Sequence, residues 1–139
     1  VILIDTSCFL SASAPDQPAH SACAAVLEQF SGPFVLSPFI LAELDYMILK
    51  LLGVSAELRL LAEVAGGAFV LAQFGRQEIA RAEAVIGRYQ RHGIGLADAS
   101  LVVLSELYGT LDLLTLDGRH FRTLRGAGGR RFRLLPADL

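Results

Sequence analysis

Five short apolar runs, VILI, FVLS, AFVLA, LDLLTL and FRLL, lie between longer segments of helical pattern. Nothing else in the chain constrains its fold as strongly. Each run is too short for a helix that could bury a stripe, and each is rich in Val, Ile, Leu or Phe. Apolar residues on both faces of a strand require cover on both sides of the sheet, which is the condition of a parallel sheet inside an α/β protein. Strands are therefore predicted at residues 1–4, 34–37, 68–72, 111–116 and 132–135. Helices are predicted over Thr6–Ala14, Ala19–Phe30, Pro38–Leu52 (Ser37 as cap, Gly53 as stop), Ser55–Ala65 (Ser55 as cap), Arg76–His92 and Leu96–Tyr108. The expected architecture is a three-layer α/β/α sandwich with a central parallel sheet of about four to five strands. Right-handed crossovers bring the C-terminal ends of all strands to one edge, where open α/β sheets bind ligands.

With 139 residues and no linker or repeat, residues 1–139 read as one domain. The mean hydropathy of +0.51 is high, yet no apolar run reaches the roughly 18 residues of a spanning helix. The N-terminal stretch also lacks the basic region of a signal peptide. No membrane association is expected, and the expected setting is the cytoplasm, with surplus apolar surface serving self-association or a partner. Cys8 and Cys23 lack C-x-x-C spacing and read as small core residues. GAGG, at Gly126 to Gly129, reads as a flexible loop. The net charge of −2 conceals an asymmetry: Arg119, Arg122, Arg125, Arg130, Arg131 and Arg133 are half of the twelve basic residues. Such a basic C-terminal stretch suits a polyanion or an acidic partner.

Four carboxylates fall where the topology would bring them together. Asp5 ends the first strand and Asp117 follows the strand LLTL, so both lie at the ligand-binding edge. Singly, Asp5 could be a helix cap and Asp117-Gly118 a turn. Asp98, in GLADAS, opens a late helix, where capping is again the ordinary role. Glu43 borders the stripe Ile40, Leu44, Met47, Ile48 and Leu51, with no basic residue one turn away. Two carboxylates about 4 Å apart repel by about 4 kcal/mol at an effective dielectric of 20. Four together call for a cation. An all-carboxylate set without Cys or His selects a hard divalent ion, Mg²⁺ or Mn²⁺. His20, His92 and His120 show no ligand spacing and are not read as ligands.

D-T-S ending the first strand, E-L on the helix after the second, A-D-A-S opening a late helix and T-L-D-x-x-x-F together resemble the PIN-domain ribonucleases. In length and order the resemblance is to the VapC-type toxins of type II toxin–antitoxin modules, and it spans Val1 to Leu135. It implies a metal-dependent endoribonuclease with Asp5, Glu43, Asp98 and Asp117 as catalytic acids and Mg²⁺ or Mn²⁺ ligands. Thr6, Ser7 and Thr115 match positions that support the acids. The resemblance further implies hydrolysis to 5′-phosphate and 3′-hydroxyl products, an RNA substrate, a cognate antitoxin protein and a homodimer.

Arg119, His120, Arg122 and Arg125 are the candidates for holding RNA. Part of the leucine-rich stretch LLGVSAELRLLAEV, from Leu51 to Val64, is a candidate dimer or antitoxin surface. Other acid-at-strand-end chemistries fit less well. A phosphorelay receiver needs a basic residue after a late strand, whereas Lys50, the single lysine, lies in a helix. A D-x-D phosphatase fails because Ser7 stands at the second acid. HGIGLAD lacks the third glycine of a dinucleotide fingerprint, and no phosphate-binding G-x-x-x-x-G-K-[ST] is present. The alternative from another class is a PIN-like module that binds RNA or protein with negligible catalysis.

Overall fold

The computed structural model describes all residues, 1–139. Its sheet has five parallel strands in the order β3-β2-β1-β4-β5: β1 Ile2–Ile4, β2 Phe34–Leu36, β3 Val70–Leu71, β4 Asp112–Leu114 and β5 Arg133–Leu135. Seven helices surround it: α1 Thr6–Ser13, α2 His20–Gln29, α3 Pro38–Leu52, α4 Val54–Ala65, α5 Arg76–Arg88, α6 Leu96–Tyr108 and α7 Gly118–Phe121. The register pairs Leu3 with Val35 and Leu113, and Leu113 with Leu134. Because side chains alternate along a strand, these four residues share a face. They pack in the main core with Ile40, Leu44 and Ile48 of α3 and with α6. On the other face Ile2, Leu114 and Leu135 meet Cys8, Cys23 and Val26 of α1 and α2. The three layers follow from the apolar runs of β1, β2, β4 and β5 being covered on both sides. β3, at the edge of the sheet, departs from that expectation, with Val70 39% and Leu71 46% exposed. No helix is long and apolar enough to cross a membrane.

α3 and α6 have the bounds that their sequence signals predict. Ser37 caps α3 by accepting a hydrogen bond from the Phe39 amide at 3.2 Å, with Pro38 in the first turn. Gly53 follows α3 at φ +91°, a conformation that favours glycine, and α4 starts at once. Ser55 is therefore inside the first turn of α4, and Gly53 occupies the cap position in its place. The helix expected to reach His92 ends at Arg88, where Tyr89 leaves helical geometry and a 3-10 turn, Gln90–His92, follows.

Two further expectations need correction. Cys8 and Cys23 are buried as expected but form a disulfide that ties α1 to α2. A spacing of 15 residues gives no sign of it, because α1 and α2 must first pack side by side. The GAGG segment is not a loose loop but a 3-10 turn, Ala127–Gly129, with Ala127 buried. The Ala127 amide donates to Ser105 Oγ at 2.8 Å, and Ser105 donates to the Thr110 carbonyl. Gly126 lies against Ser105, Leu111 and Phe132 so closely that a Cβ has no room.

Candidate active site

The C-terminal ends of β1 and β4 are neighbours, and the acids gather above them. Asp5 occupies the cap position of α1, yet its carboxylate makes no capping bond. Its Oδ2 instead accepts from the Thr115 hydroxyl at 2.6 Å and the Ser7 hydroxyl at 2.8 Å. Those hydroxyls are held in turn by backbone amides of the loop after β4. Asp117 N–H donates to Thr115 Oγ1, and Leu116 N–H donates to Ser7 Oγ, both at 2.9 Å. With both hydroxyl protons committed to Oδ2, Asp5 Oδ1 has no hydrogen-bond partner in the protein and is the atom left for a ligand. Asp5 as a residue is buried, only 6% exposed, which fixes its carboxylate at the floor of the pocket.

Glu43 is brought in by α3 and fixed by Thr6, whose hydroxyl donates to Glu43 Oε1 at 2.7 Å. Its side chain is exposed, so the expectation that it borders a buried face holds for Ile40, Leu44 and Ile48 but not for the carboxylate. Asp98 rises from the first turn of α6, whose cap position is taken by Gly95 and not by Asp98. The capping reading of Asp98 is thereby removed, and the side chain is free for the pocket. Ser37 and Ser100 share a buried hydroxyl pair at 2.7 Å, and Ser100 donates to the Ala97 carbonyl. This contact locks the start of α3 to the start of α6, and so relates the two helices that carry Glu43 and Asp98.

Asp117 does cap its short helix: its Oδ1 accepts from the His120 amide at 3.1 Å. Its Oδ2 lies 3.0 Å from His120 Nδ1, which in turn lies 3.3 Å from Asp98 Oδ2. Asp98, Asp117 and His120 can each offer one ligand atom, all within 4.8 Å of one another. Burial pushes the Asp98 carboxyl up to about 6, and the charges of Asp5, Asp117 and Glu43 push in the same direction while His120 opposes them. Asp98 therefore feels the charges of the other three expected acids. The pocket concentrates negative charge beyond what its own residues neutralise.

Thr6, Ser7 and Thr115 contact the acids as expected. The arginines are arranged differently from one another. Arg122 is engaged by Asp138 through two hydrogen bonds at 2.7 and 2.6 Å, which hold the Asp138 carboxyl down at about 2. Arg125 donates to the Arg122 carbonyl at 3.1 Å. Arg119 is exposed on α7, two residues after Asp117, with no carboxylate partner. His120 is the residue that sequence reasoning undervalues. Its spacing of three from Asp117 places both on one side of a helical turn, but α7 is only four residues long, too short to leave a periodic signal.

A five-stranded parallel sheet with four acids at the ends of β1 and β4 and on α3 and α6 is the arrangement of a PIN domain. Comparison with known proteins agrees. A PIN-domain family model matches residues 2–126. Ribonuclease VapC26 of Mycobacterium tuberculosis is 44% identical over 135 residues, covering 97% of this chain and 100% of the relative. In structure, VapC20 of the same organism, described as a sarcin-ricin loop cleaving toxin, matches with a TM-score of 0.79 at 15% identity, over 85% of this chain and 91% of that one. VapBC2 from Rickettsia felis, bound to a DNA fragment from its promoter, matches with a TM-score of 0.66 at 14% identity, over 96% and 97% of the two chains. The chain belongs to the PIN-domain family, among its VapC-type ribonucleases.

Proposed function

We propose that this protein is the toxin of a toxin–antitoxin pair, an endoribonuclease that hydrolyses RNA phosphodiesters with Mg²⁺ or Mn²⁺ held by Asp5, Glu43, Asp98 and Asp117. The observation that carries the reading is the convergence of Asp98 Oδ2 and Asp117 Oδ2 on His120 Nδ1, at 3.3 and 3.0 Å, in a pocket where Asp5 and Glu43 add further negative charge against Asp98. The donor set fits a divalent cation: carboxylate oxygens predominate, and one buried nitrogen, His120 Nδ1, is without a hydrogen-bond partner. A bound cation would supply Lewis-acid stabilisation of the phosphate and acidification of water.

The protein's own residues do the positioning. Thr115 and Ser7 fix one oxygen of Asp5 and leave the other open, and Thr6 orients Glu43. Asp117 is oriented by the His120 amide. Arg119 and Arg125 would attract the RNA backbone in this reading, a contribution that salt weakens. Arg122 joins them only by giving up Asp138.

The relatives with VapB partners support an antitoxin for this chain. Its docking place is proposed on α3 and α4, where Tyr46, Leu49, Leu51, Val54 and Leu58 are all more than 40% exposed. Beside them a groove of about 370 Å³ is lined by Phe9, Leu52, Ala56 and Leu60, with Arg59 and Glu63 at its polar margin. A homodimer would cover part of the same apolar surface, and the cytoplasm, where RNA is present, is the proposed setting.

The test is incubation of purified, antitoxin-free protein with total cellular RNA in Mg²⁺, Mn²⁺ or EDTA, with Asp5→Asn and Asp98→Asn alongside. Discrete metal-dependent products, absent from both variants, are expected. Folded, metal-bound protein that leaves every RNA intact but retains it would favour the binding module.

A further inference from the structure

His120 presents a buried polar atom in an unusual position. Nδ1 is inaccessible to solvent and makes no hydrogen bond, although two carboxylate oxygens are 3.0 and 3.3 Å away. Neither oxygen lies along the direction in which a ring N–H would donate. A simple ion pair would align that N–H with one of them. Burying the nitrogen unaligned forfeits the bond and keeps the desolvation cost.

The same spacing has a natural explanation in coordination geometry. An octahedral cation with ligands at about 2.1 Å sets adjacent donor atoms about 3.0 Å apart. Each neighbour then sits roughly 45° off the line from a donor to the cation, as ideal octahedral geometry requires. Close approach without hydrogen-bond alignment is what a ligand atom flanked by two other ligands of one ion shows. Asp117 is prepared for this role as well, because its Oδ1 is taken by the His120 amide and its Oδ2 is the atom facing Nδ1.

We propose that His120 is itself a ligand, giving Nδ1 to the same cation as Asp98 Oδ2 and Asp117 Oδ2, and that this nitrogen tilts the site from Mg²⁺ toward Mn²⁺. An imidazole suits first-row transition ions, whereas Mg²⁺ prefers oxygen and retains its waters. α7 thereby delivers two ligands from a single turn, Asp117 at its start and His120 three residues on. The inference rests on the metal-dependent reading of the pocket.

Two measurements on the purified full chain test it, with Mn²⁺ or Mg²⁺ alone as the probe. Electron spin-echo spectroscopy of the Mn²⁺-loaded protein detects a nitrogen bound directly to the ion. Modulation from a directly bound imidazole nitrogen is expected in the native protein. It should vanish in His120→Asn, where an oxygen can take the place of Nδ1, and in His120→Ala, although His20 and His92 remain. Calorimetric titration should show His120→Ala weakening Mn²⁺ by roughly tenfold or more, the scale seen for perturbed metal sites. Mg²⁺ should weaken less, so the preference for Mn²⁺ narrows. Mn²⁺ bound in an Asp98-dependent manner but without nitrogen modulation, or with modulation that survives His120→Ala, overturns the ligand role alone. Mn²⁺ that fails to bind, or binds equally well to Asp98→Asn, overturns the metal site itself and the ligand role with it.

Discussion

Asp98→Asn should make the metal-free protein more stable while removing its activity. The native carboxyl is raised from 3.8 to about 6 by burial and by the charges of Asp5, Asp117 and Glu43. A raised folded-state value means that the folded protein binds the proton more tightly than the unfolded chain does. Asp98 therefore contributes favourably only at low pH. That contribution is full below about 4, declines as pH rises through 6, and above 6 the ionised group is a standing penalty. Two pK units correspond to about 3 kcal/mol. Since the Asp98 side chain is 21% exposed and solvent screens part of the repulsion, about 1–3 kcal/mol is the expected size.

An amide of the same shape removes the penalty, so in EDTA at pH 8 the variant should melt roughly 3–10 °C higher than the native protein. At pH 4.5 most of the difference should be gone. Adding Mn²⁺ at pH 8 should reverse the order, since about 1,000 times Kd stabilises the native protein by about 4.1 kcal/mol, more than the penalty that the variant removes. The variant should gain much less. The assay is thermal or urea unfolding followed by circular dichroism at both pH values, with and without Mn²⁺. A variant no more stable than the native protein in EDTA at pH 8, or one whose advantage is the same at pH 4.5, would refute the argument from crowded charge.

Other perturbations follow from specific contacts. Thr115→Val keeps the shape but removes the donor to Asp5 and the acceptor for the Asp117 amide. It should cost about 1–3 kcal/mol in urea unfolding and lower RNA cleavage, with Thr115→Ser restoring most of both. Gly126→Ala places a methyl group against Ser105, Leu111 and Phe132, and overpacking of this kind should cost about 1–3 kcal/mol. Equal melting temperatures for this variant and the native protein would show that the segment yields more readily than its packing suggests. Cys8→Ala should lower stability by up to about 3 kcal/mol, the chain-entropy figure for a 15-residue loop. In strong reductant that gap should shrink to the small loss of a buried sulfur, and thiol counting under denaturing conditions reports which state is present.

Elements with strong local signals are legible in the sequence. α3 is bounded by Ser-Pro at one end and Gly53 at the other, and α6 ends at Gly109 in the left-handed conformation. Where two elements share a residue the local signal misleads. Gly53 both follows α3 and caps α4, which displaces Ser55 from its apparent role. Tyr89 ends α5 early, although the polar, charged pattern continues to His92. The turn at Ala127 is ordered by Ser105, more than twenty residues away, so its own glycines suggest only freedom. At the site, the acids can be found because each sits at the end of a strand or in a helix of clear periodicity. Their orientation cannot, since it depends on hydroxyls from two strand ends meeting at Asp5.

By itself the sequence determined the layered parallel sheet, because short apolar runs alternating with helical segments admit few other arrangements, even though the run that forms β3 lies exposed at the edge. It also determined which carboxylates stand near the ligand-binding edge, since right-handed crossovers send every strand end to that edge. Only the tertiary structure decided what each acid does there. Asp5 and Asp98 have the sequence context of helix caps, and neither caps; Asp117 does cap, with one oxygen, and keeps the other for the pocket. The disulfide between Cys8 and Cys23 and the approach of His120 to two acids were likewise decided in three dimensions. The physical reason is common to all of these. Local propensities act over a few residues, whereas burial, charge crowding and ligand geometry depend on atoms that the fold brings together from distant parts of the chain.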